Sequence, residues 1–386
     1  MSAFSESIKL GVAQITSRRM YVYAMVLVPL LCTLFFVGLM HRGLPLRTPV
    51  GIVDLDLSPS SRKITRMLNS EEVLAIDYRY DSFEEAMAAV RRGESFGFFL
   101  IPENFERDAV AGKEPSLSLF TNMSFFVPGT LSFKGFKTGA VLTTAGLAQT
   151  KLTAVGVPDD ATMALLSPVS IDTNGIGNPW MNYNYYLTTS FMAALMQLMV
   201  MLVAIYSITQ EIKWGTSVRW LATARGSMLR AIVGKLLPQT VIFFITGLAM
   251  QGLLYGFFHF PLNCSPWTMA AAMLLMIVAS QALAVLFVSV LPNGRLAMSV
   301  GALVGILAFS IAAFSFPVAS MYGSIGIFSY ILPVRYYFLI YCNQGLNGLA
   351  LYYSRWYFAA LLVFPLVCWV LLPRLKRACL HPVYVP

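Results

Sequence analysis

Six stretches of the sequence are apolar and about 20 residues long or longer, which is enough for a helix to cross the hydrocarbon core of a bilayer. They lie at 20–40, 186–210, 231–258, 267–291, 297–318 and 356–373. The first is too long for the apolar core of a signal peptide, and no small-residue cleavage site follows it. Only 12% of the residues are charged, about half the share usual in soluble domains. The sequence therefore predicts an α-helical integral membrane protein with six transmembrane helices.

The polar region between the first two spans, 41–185, is predicted to fold as a separate domain. Residues 41–180 hold 16 acidic and 13 basic residues, and no run there is long enough to span. Strand patterns at 49–56, 73–80, 95–102 and 116–122 alternate with helix patterns at 58–69, 82–93 and 102–115. Ser82 and Glu85 have the spacing of a helix cap, and Gly93 is typical of a helix stop. The alternation predicts an extracytoplasmic α/β domain inserted after the first helix, followed by a long helix at about 125–157.

The basic residues between the spans predict the orientation of the chain. The links at 211–230 and 291–296 and the C-terminus carry Lys213, Arg219, Arg225, Arg230, Arg295, Arg374, Lys376 and Arg377. The links on the other side carry only Arg335 and Arg355. Because basic residues concentrate on the cytoplasmic side, both termini are predicted to be cytoplasmic, including 1–40 up to its span and a tail at 376–386. The net charge of +9 then signals orientation and predicts no nucleic-acid partner.

The sequence offers no catalytic, cofactor or metal site of a familiar kind. The stretch GKLLPQT at 234–240 lacks the upstream glycine of a nucleotide-binding loop and the Ser or Thr after the lysine. His41, His259 and His381 pair with no plausible nucleophile or metal ligand. We therefore expect a chain without enzymatic activity of its own.

The spans carry amides, not ionisable residues, near their centres. Gln197, Gln251 and Gln281 lie there, whereas Glu211 and Lys235 lie toward the predicted cytoplasmic ends. Carriers driven by proton or sodium gradients usually need ionisable groups near the midplane, so the pattern weakens that class of protein. The glutamines are typical of hydrogen bonds between helices.

The link between the second and third spans is basic and contains two tryptophans, EIKWGTSVRWLATARG at 211–226. If it is helical, Trp214, Val218 and Leu221 fall at i, i+4 and i+7 and form one apolar face. Gly215 permits a turn out of the preceding span. The link is either an interfacial helix anchored among lipid headgroups or a docking helix for a cytoplasmic partner.

A further segment, SYILPVRYYFLIYCNQGLNG at 329–348, is amphipathic and too polar to span comfortably. Pro333 and the glycines favour a broken, re-entrant helix surrounded by protein, predicted at 329–349 on the outer side. Its aromatic residues fit a plain interfacial belt equally well. Cys264 and Cys342 both fall on the predicted outer side, where an oxidising compartment would let them pair.

Four stretches, in this order along the chain, resemble one known family. They are VGIVDLDLSPSSRKITRML at 50–68, EEAMAAVRRGESFGFFLIPENFERDAVAGKEPSLSLFTN at 84–122, NPWMNYNYYL at 178–187 and EIKWGTSVRWLATARGSMLRAIVGKLLP at 211–238. Together they resemble the ABC-2 type permease family, the membrane subunits of ATP-driven exporters, in the subgroup with a large extracytoplasmic domain after the first helix. The resemblance covers nearly the whole chain, and the last stretch is the most specific.

The resemblance implies a cytoplasmic coupling helix at 211–226 within the membrane region 186–375. The residues it assigns to ATPase coupling are Glu211, Gly215, Thr216, Val218, Arg219, Trp220 and Leu221. The family usually has an acidic residue and more leucines after Gly-Thr, whereas this chain has SVRW at 217–220. Arg219 and Trp220 are therefore expected to make partner-specific contacts. The transport mechanism that the resemblance implies places an outer gate at Pro333, Arg335 and Tyr336.

The resemblance also implies an assembly. An ABC ATP-binding subunit would bind the ATP, and a second permease copy or a related permease would complete the membrane part as a homodimer or heterodimer. A hydrophobic or amphipathic substrate such as a drug, lipid or glycolipid would move outward across the bacterial cytoplasmic (inner) membrane. A periplasmic adaptor is a further candidate partner, beside the membrane lipids.

Two other classes of protein stay open at this point. One is a membrane-anchored receptor or secretion accessory protein, in which the extracytoplasmic domain is the working part. The other is a membrane enzyme acting on lipids, for which Asp54, Asp56, Asp77 and Asp81 are the candidates by composition. The same four aspartates are more typical of solvated strand ends.

Overall fold

The computed structural model describes residues 3–43, 47–111, 113, 115–124, 126–154, 177–179 and 182–381. Two compact units make up the chain. We call residues 1–43 and 174–386 the membrane unit, and residues 44–173 the inserted domain. A mostly helical unit with spanning helices and a small α/β unit confirm the predicted fold class.

Each unit has its own set of elements, numbered here in chain order. The membrane unit contains α1 (Ala3–Ser17) and α2 (Arg19–Leu39). The inserted domain contains β1 (Thr48–Asp54), α3 (Pro59–Asn69), β2 (Leu74–Tyr80), α4 (Phe83–Arg92), β3 (Gly97–Ile101), α5 (Phe105–Val110), β4 (Ser118–Thr121) and α6 (Phe126–Ala154). The membrane unit continues with α7 (Asn184–Lys213), α8 (Ser217–Thr223), α9 (Met228–Phe257), α10 (Pro266–Val290), α11 (Gly294–Ile311), α12 (Gly323–Ser329), α13 (Pro333–Leu346) and α14 (Leu351–Leu380).

The inserted domain is a four-stranded sheet with helices on both faces. The strand order is β2-β1-β3-β4, with β1 parallel to both of its neighbours and β4 antiparallel to β3. Ile52 and Phe99 are buried on one face, in a cluster with α3. Val53 and Phe98 are buried on the other face, in a cluster with α4. Burial on both faces explains why the central strands are almost continuously apolar.

Helices α3 and α4 begin, and α4 ends, at residues that the sequence predicts. The Ser58 hydroxyl accepts a hydrogen bond from the Ser61 amide at 3.0 Å and caps α3. The Ser82 hydroxyl accepts one from the Glu85 amide at 3.2 Å and caps α4. Gly93 has a left-handed φ of 78°, which terminates α4 at a residue without a Cβ.

Six helices of the membrane unit are long and apolar enough to cross a membrane: α2, α7, α9, α10, α11 and α14. The fifth span departs from its prediction of 297–318, because α11 already ends at Ile311. Ala313 has a left-handed φ of 73°, which an α-helix does not accommodate. Phe316 precedes Pro317, and a following proline disfavours helical backbone.

The spans differ in how far the chain itself covers them. Inside the structure, 67% of the most apolar window of α7 and of α10 is buried, and 61% of that of α9. For α2, α11 and α14 the share is 22%. The membrane unit therefore has α7, α9 and α10 at its centre, while α2, α11 and α14 turn large apolar surfaces to their surroundings.

The N-terminal helix α1 packs tightly against α9, which the sequence analysis did not predict. A Cβ on Gly11 would lie 2.9 Å from the Gly234 carbonyl oxygen, and a Cβ on Gly234 would clash with the Ser7 Cβ. Ser7, Gly11 and Ile15 form the buried face of α1. Small residues at these positions allow the two helix backbones to approach closely.

The segment predicted to be re-entrant is a pair of helices with a sharp bend. Helices α12 and α13 meet at 80° across residues 330–332. Pro333 opens α13, where a proline costs no internal hydrogen bond. The observed segment begins at Gly323, six residues before the predicted one.

Candidate coupling site and broken helix

Helix α8 lies between two left-handed turns. Gly215 has a φ of 67° and separates α8 from α7, as the sequence predicted for a turn at this residue. Arg225 and Gly226, with φ of 52° and 73°, separate α8 from α9. The 211–226 link is thus a short helix with a change of chain direction on either side.

The predicted apolar face of this link is wrong. Trp214 is 64% exposed and Val218 is 47% exposed, whereas Leu221 is only 3% exposed. Trp214 precedes the turn at Gly215, so the helical spacing that relates it to Val218 and Leu221 does not apply. Trp220, expected to be a partner contact, is 3% exposed and faces inward beside Leu221. Arg219 is exposed, as a partner contact requires.

The inward face of α8 is anchored to three spans. Trp220 and Leu221 belong to a buried cluster that includes residues of five spans, and α8 itself lies directly against α7, α9 and α14. The Ser217 hydroxyl donates a hydrogen bond to the Cys379 carbonyl oxygen at 2.7 Å, near the end of α14. These contacts leave Val218 and Arg219 as the outward face of a helix whose position depends on α7, α9 and α14.

An ion pair joins the ends of α7 and α9 at this helix. Lys235 Nζ lies 2.5 Å from Glu211 Oε1, and the lysine side chain is 3% exposed. The other carboxylate oxygen of Glu211 accepts a hydrogen bond from the Thr216 hydroxyl. Lys235 Nζ also lies 4.6 Å from the centre of the Trp220 ring, a cation–π contact. Glu211, Thr216 and Trp220, three predicted coupling residues, are therefore joined through Lys235, which the prediction left out.

A cavity of about 290 Å³ lies beside Glu211. Its walls are Gln14, Ser17, Arg18, Tyr21, Tyr206, Gln210, Glu211, Trp214 and Thr216. Two hydrogen bonds join the N-terminal part of the chain to α7 here. The Arg18 guanidinium donates to the Tyr206 hydroxyl at 2.5 Å, and the Gln14 amide donates to the Ser207 carbonyl oxygen at 3.0 Å. The N-terminal segment is thus part of the wall that faces the link.

The predicted gate residues lie together at the start of α13. The Val334 amide donates a hydrogen bond to Gln197 Oε1 of α7 at 2.7 Å. Pro333 is buried, and Arg335 and Tyr336 are half-buried. The Tyr336 hydroxyl donates to the Tyr330 carbonyl oxygen at 2.9 Å and spans the bend.

The far end of α13 is fixed by two further hydrogen bonds. The Tyr341 hydroxyl donates to the Tyr185 carbonyl oxygen at 2.8 Å. The Asn263 amide donates to the Leu346 carbonyl oxygen at 2.7 Å. Helix α13 therefore runs from the level of Gln197 to the level of Tyr185, beside the first half of α7.

Comparison with known proteins now identifies the family. Residues 19–372 match the model of the family described as ABC-2 family transporter protein. The chain belongs to this family. The match extends over most of the sequence and confirms the resemblance carried by the four stretches.

One solved structure is similar to part of this ABC-2 chain. A crystal structure of a domain from Thermotoga maritima MSB8, of a protein named as a candidate ABC type-2 transporter, is similar at 21% sequence identity. The similarity covers 32% of this chain and 81% of that chain, with a TM-score of 0.23. No curated protein matches the sequence at a significant level.

Two of the four candidate aspartates of this ABC-2 chain have structural contacts. The Asp54 carboxylate accepts hydrogen bonds from the Asp56 and Leu57 amides at 3.2 and 3.0 Å and shapes the turn after β1. The Asp56 carboxylate accepts one from the Glu106 amide at 3.1 Å. Cys264 and Cys342, whose pairing the sequence left open, are both free thiols in the structure. Within the described part of the chain, no group of three or more His, Cys, Asp and Glu residues could hold a metal ion.

Proposed function

We propose that this chain is the transmembrane permease subunit of an ATP-driven exporter and has no ATPase site of its own. A separate ATP-binding subunit would dock on α8 from the cytoplasm and supply the energy. Two permease chains, identical or related, would form the membrane part in a bacterial inner membrane. The cargo would be a hydrophobic or amphipathic molecule that moves outward.

The observation that carries the proposal is the two-sided construction of α8. Val218 and Arg219 are exposed on one side, while Trp220 and Leu221 are buried on the other. A force on the outward face would be passed through the inward face to α7, α9 and α14, because α8 lies directly against all three. The Glu211–Lys235 pair adds a direct connection between α7 and α9.

Two regions of the membrane unit suit an alternation between states. ATP can shift such an equilibrium only if the ATP-binding subunit has different affinities for the two arrangements of the spans. Helix α8 would sense that difference at one end of the unit, and the broken pair α12–α13, whose bend lies near the level of Gln197, would respond. Breaks in helices at membrane depth are tolerated where protein or a cavity surrounds them.

Co-purification from mild detergent tests the proposal. The wild-type chain should bring down a protein that contains a nucleotide-binding loop, identified by mass spectrometry. The variant Val218→Asp with Arg219→Glu should lose that partner while keeping its own unfolding temperature, because both side chains are exposed.

A matched control changes two exposed residues near the end of α14 in the same way. Leu380 is 42% exposed, close to the value for Val218, so Leu380→Asp with Arg377→Glu introduces the same changes of charge. This control should keep the partner. Loss in both variants would show that the effect is not specific to α8. The absence of any ATP-binding subunit from several mild detergents would favour the receptor or secretion accessory protein.

A further inference from the structure

The bend before α13 places a positive charge near the middle of the membrane unit. Val334 is hydrogen-bonded to Gln197, which lies near the middle of α7, about 20 Å from either end at 1.5 Å per residue. Arg335 follows Val334 directly. A bilayer core is about 30 Å thick, so Arg335 starts from a depth at which ionisable residues are rare and usually functional.

The charge of Arg335 has no acceptor within the described residues. Its Nε and Nη1 atoms are both buried without a hydrogen-bond partner there. Its guanidinium lies 4.8 Å from the centre of the Tyr330 ring, a cation–π contact that holds the group in place. Nη2 is the remaining nitrogen through which an acceptor from outside can reach the charge.

The membrane unit also lacks a carboxylate for this arginine. Residues 1–43 and 174–386 contain two acidic residues in all, Glu6 and Glu211. Glu211 is paired with Lys235 and lies about 20 Å along α7 from Gln197. Glu6 is in α1, whose neighbouring Ser7 packs against Gly234 and thus next to Lys235. A counter-charge for Arg335 must therefore come from outside the membrane unit.

The surface around the bend is apolar. Four exposed side chains surround it in sequence: Ile327, Phe328, Tyr330 and Ile331. Gln197, fully buried beside the start of α13, keeps its amide nitrogen Nε2 without a partner among the described residues. A molecule that satisfies this region needs an oxyanion for the arginine and an apolar body for the surface next to it.

We propose that Arg335 binds the oxyanionic head group of an amphiphile at the bend between α12 and α13. That this amphiphile is a transport substrate rests on the proposed function, whereas its binding at the bend does not. Tyr330 would orient the guanidinium, and the exposed apolar side chains of α12 would contact the hydrocarbon part. The proposal narrows the cargo from a hydrophobic or amphipathic molecule to an anionic amphiphile.

Binding to the purified full-length chain in a neutral maltoside detergent tests this inference. The probes are octyl phosphate, octanol and inorganic phosphate, and the readout is the shift in unfolding temperature with probe concentration. Octyl phosphate should bind wild-type protein, and Arg335→Gln should weaken it roughly ten-fold or more, the usual effect of losing a hydrogen bond to a charged group. Arg355 is the matched control, because it also stacks on a tyrosine ring, at 3.8 Å from Tyr352, but is exposed. Arg355→Gln should leave the affinity unchanged.

The other possible results of these assays either support or overturn the proposed Arg335 site. Equal affinity in Arg335→Gln, or an equal loss in Arg355→Gln, would overturn the site. Inorganic phosphate that binds as tightly as octyl phosphate would show a site for a free anion and overturn the amphiphile. Without any probe, Arg335→Gln should unfold at the wild-type temperature or above, since it removes an unpaired charge. A lower unfolding temperature for both Arg335→Gln and Arg335→Lys would show a structural arginine instead.

The assay uses neither ATP nor a partner subunit. A failed co-purification would therefore leave this inference standing, and a failed binding assay would leave the docking of an ATP-binding subunit untouched.

Discussion

Lys235 and Arg335 are two cations within the same helical unit, and their surroundings differ. Lys235 is almost completely buried, with the Glu211 carboxylate at 2.5 Å and the Trp220 ring beside it. Arg335 is half-buried, and two of its nitrogens are without an acceptor in the described residues. Lys235 forms an ion pair between α7 and α9, with a counter-charge that the chain itself supplies. Arg335 leaves a charge that something else has to complete.

The largest expected effect comes from breaking the Glu211–Lys235 ion pair. Glu211→Gln leaves Lys235 buried without its counter-charge, and removal of one partner of a buried pair costs about 3–5 kcal/mol in unfolding free energy. Denaturation of the purified chain in detergent measures this loss.

The double variant Glu211→Gln with Lys235→Met sharpens the test. It removes both charges, so most of the stability should return. A single variant as stable as wild type would mean that the pair does not hold α7 and α9 together.

The two faces of α8 should differ next. Leu221→Ala removes a buried side chain and should cost about 2–5 kcal/mol in unfolding free energy. Val218→Ala, on the exposed face, should change it by no more than about 0.5 kcal/mol. The same denaturation assay compares them, and equal losses would contradict the inward and outward assignment.

The packing of α1 on α9 gives a smaller effect. Gly11→Ile places a branched side chain where a single Cβ already lies 2.9 Å from a carbonyl oxygen, so overpacking should cost about 1–3 kcal/mol in stability. Val12→Ile, on the exposed side of α1, is the matched control and should be neutral. If Gly11→Ile is also neutral, the close approach of α1 to α9 is incorrect.

The smallest effect is expected for an exposed pair in the inserted domain. Arg92 Nε lies 2.7 Å from Glu94 Oε1, and this hydrogen bond holds the pKa of Glu94 below its usual value. Its stabilisation is present above the unfolded-state pKa and is lost as the pH falls through the lowered folded-state pKa. Since solvent screens the pair, Glu94→Gln should leave the unfolding temperature at neutral pH unchanged, in contrast to Glu211→Gln. NMR titration of Glu94 should show its pKa rising in Arg92→Ala, and an unchanged pKa would contradict the hydrogen bond.

Patterns local in sequence predicted much of this structure. Apolar length gave the spans, and the alternation of strands and helices gave the inserted domain with its caps at Ser58 and Ser82. The end of the fifth span was missed because a left-handed residue, Ala313, interrupts a run that remains apolar. Hydropathy does not register backbone conformation.

Contacts between distant segments were harder to predict. The turn at Gly215 changes the phase between Trp214 and the helix after it, so helical spacing predicted the wrong face. Glu211 and Lys235 were both noticed, yet their pairing depends on how α7 and α9 lie side by side. One signal was available: Glu211 is the only acidic residue in 174–386, and a lysine within an apolar run needs a partner.

The two left-handed turns around α8 have a practical consequence for engineering. A Cβ at Gly215 or Gly226 would meet nothing within 4 Å, so neighbouring atoms do not constrain these turns; only the backbone conformation does. Helix α8 can therefore be treated as a cassette with fixed inner positions, Ser217, Trp220 and Leu221, and freely chosen outer ones. Exchange of the outer positions between related permeases offers a way to transplant partner choice while both flanking spans keep their own sequences.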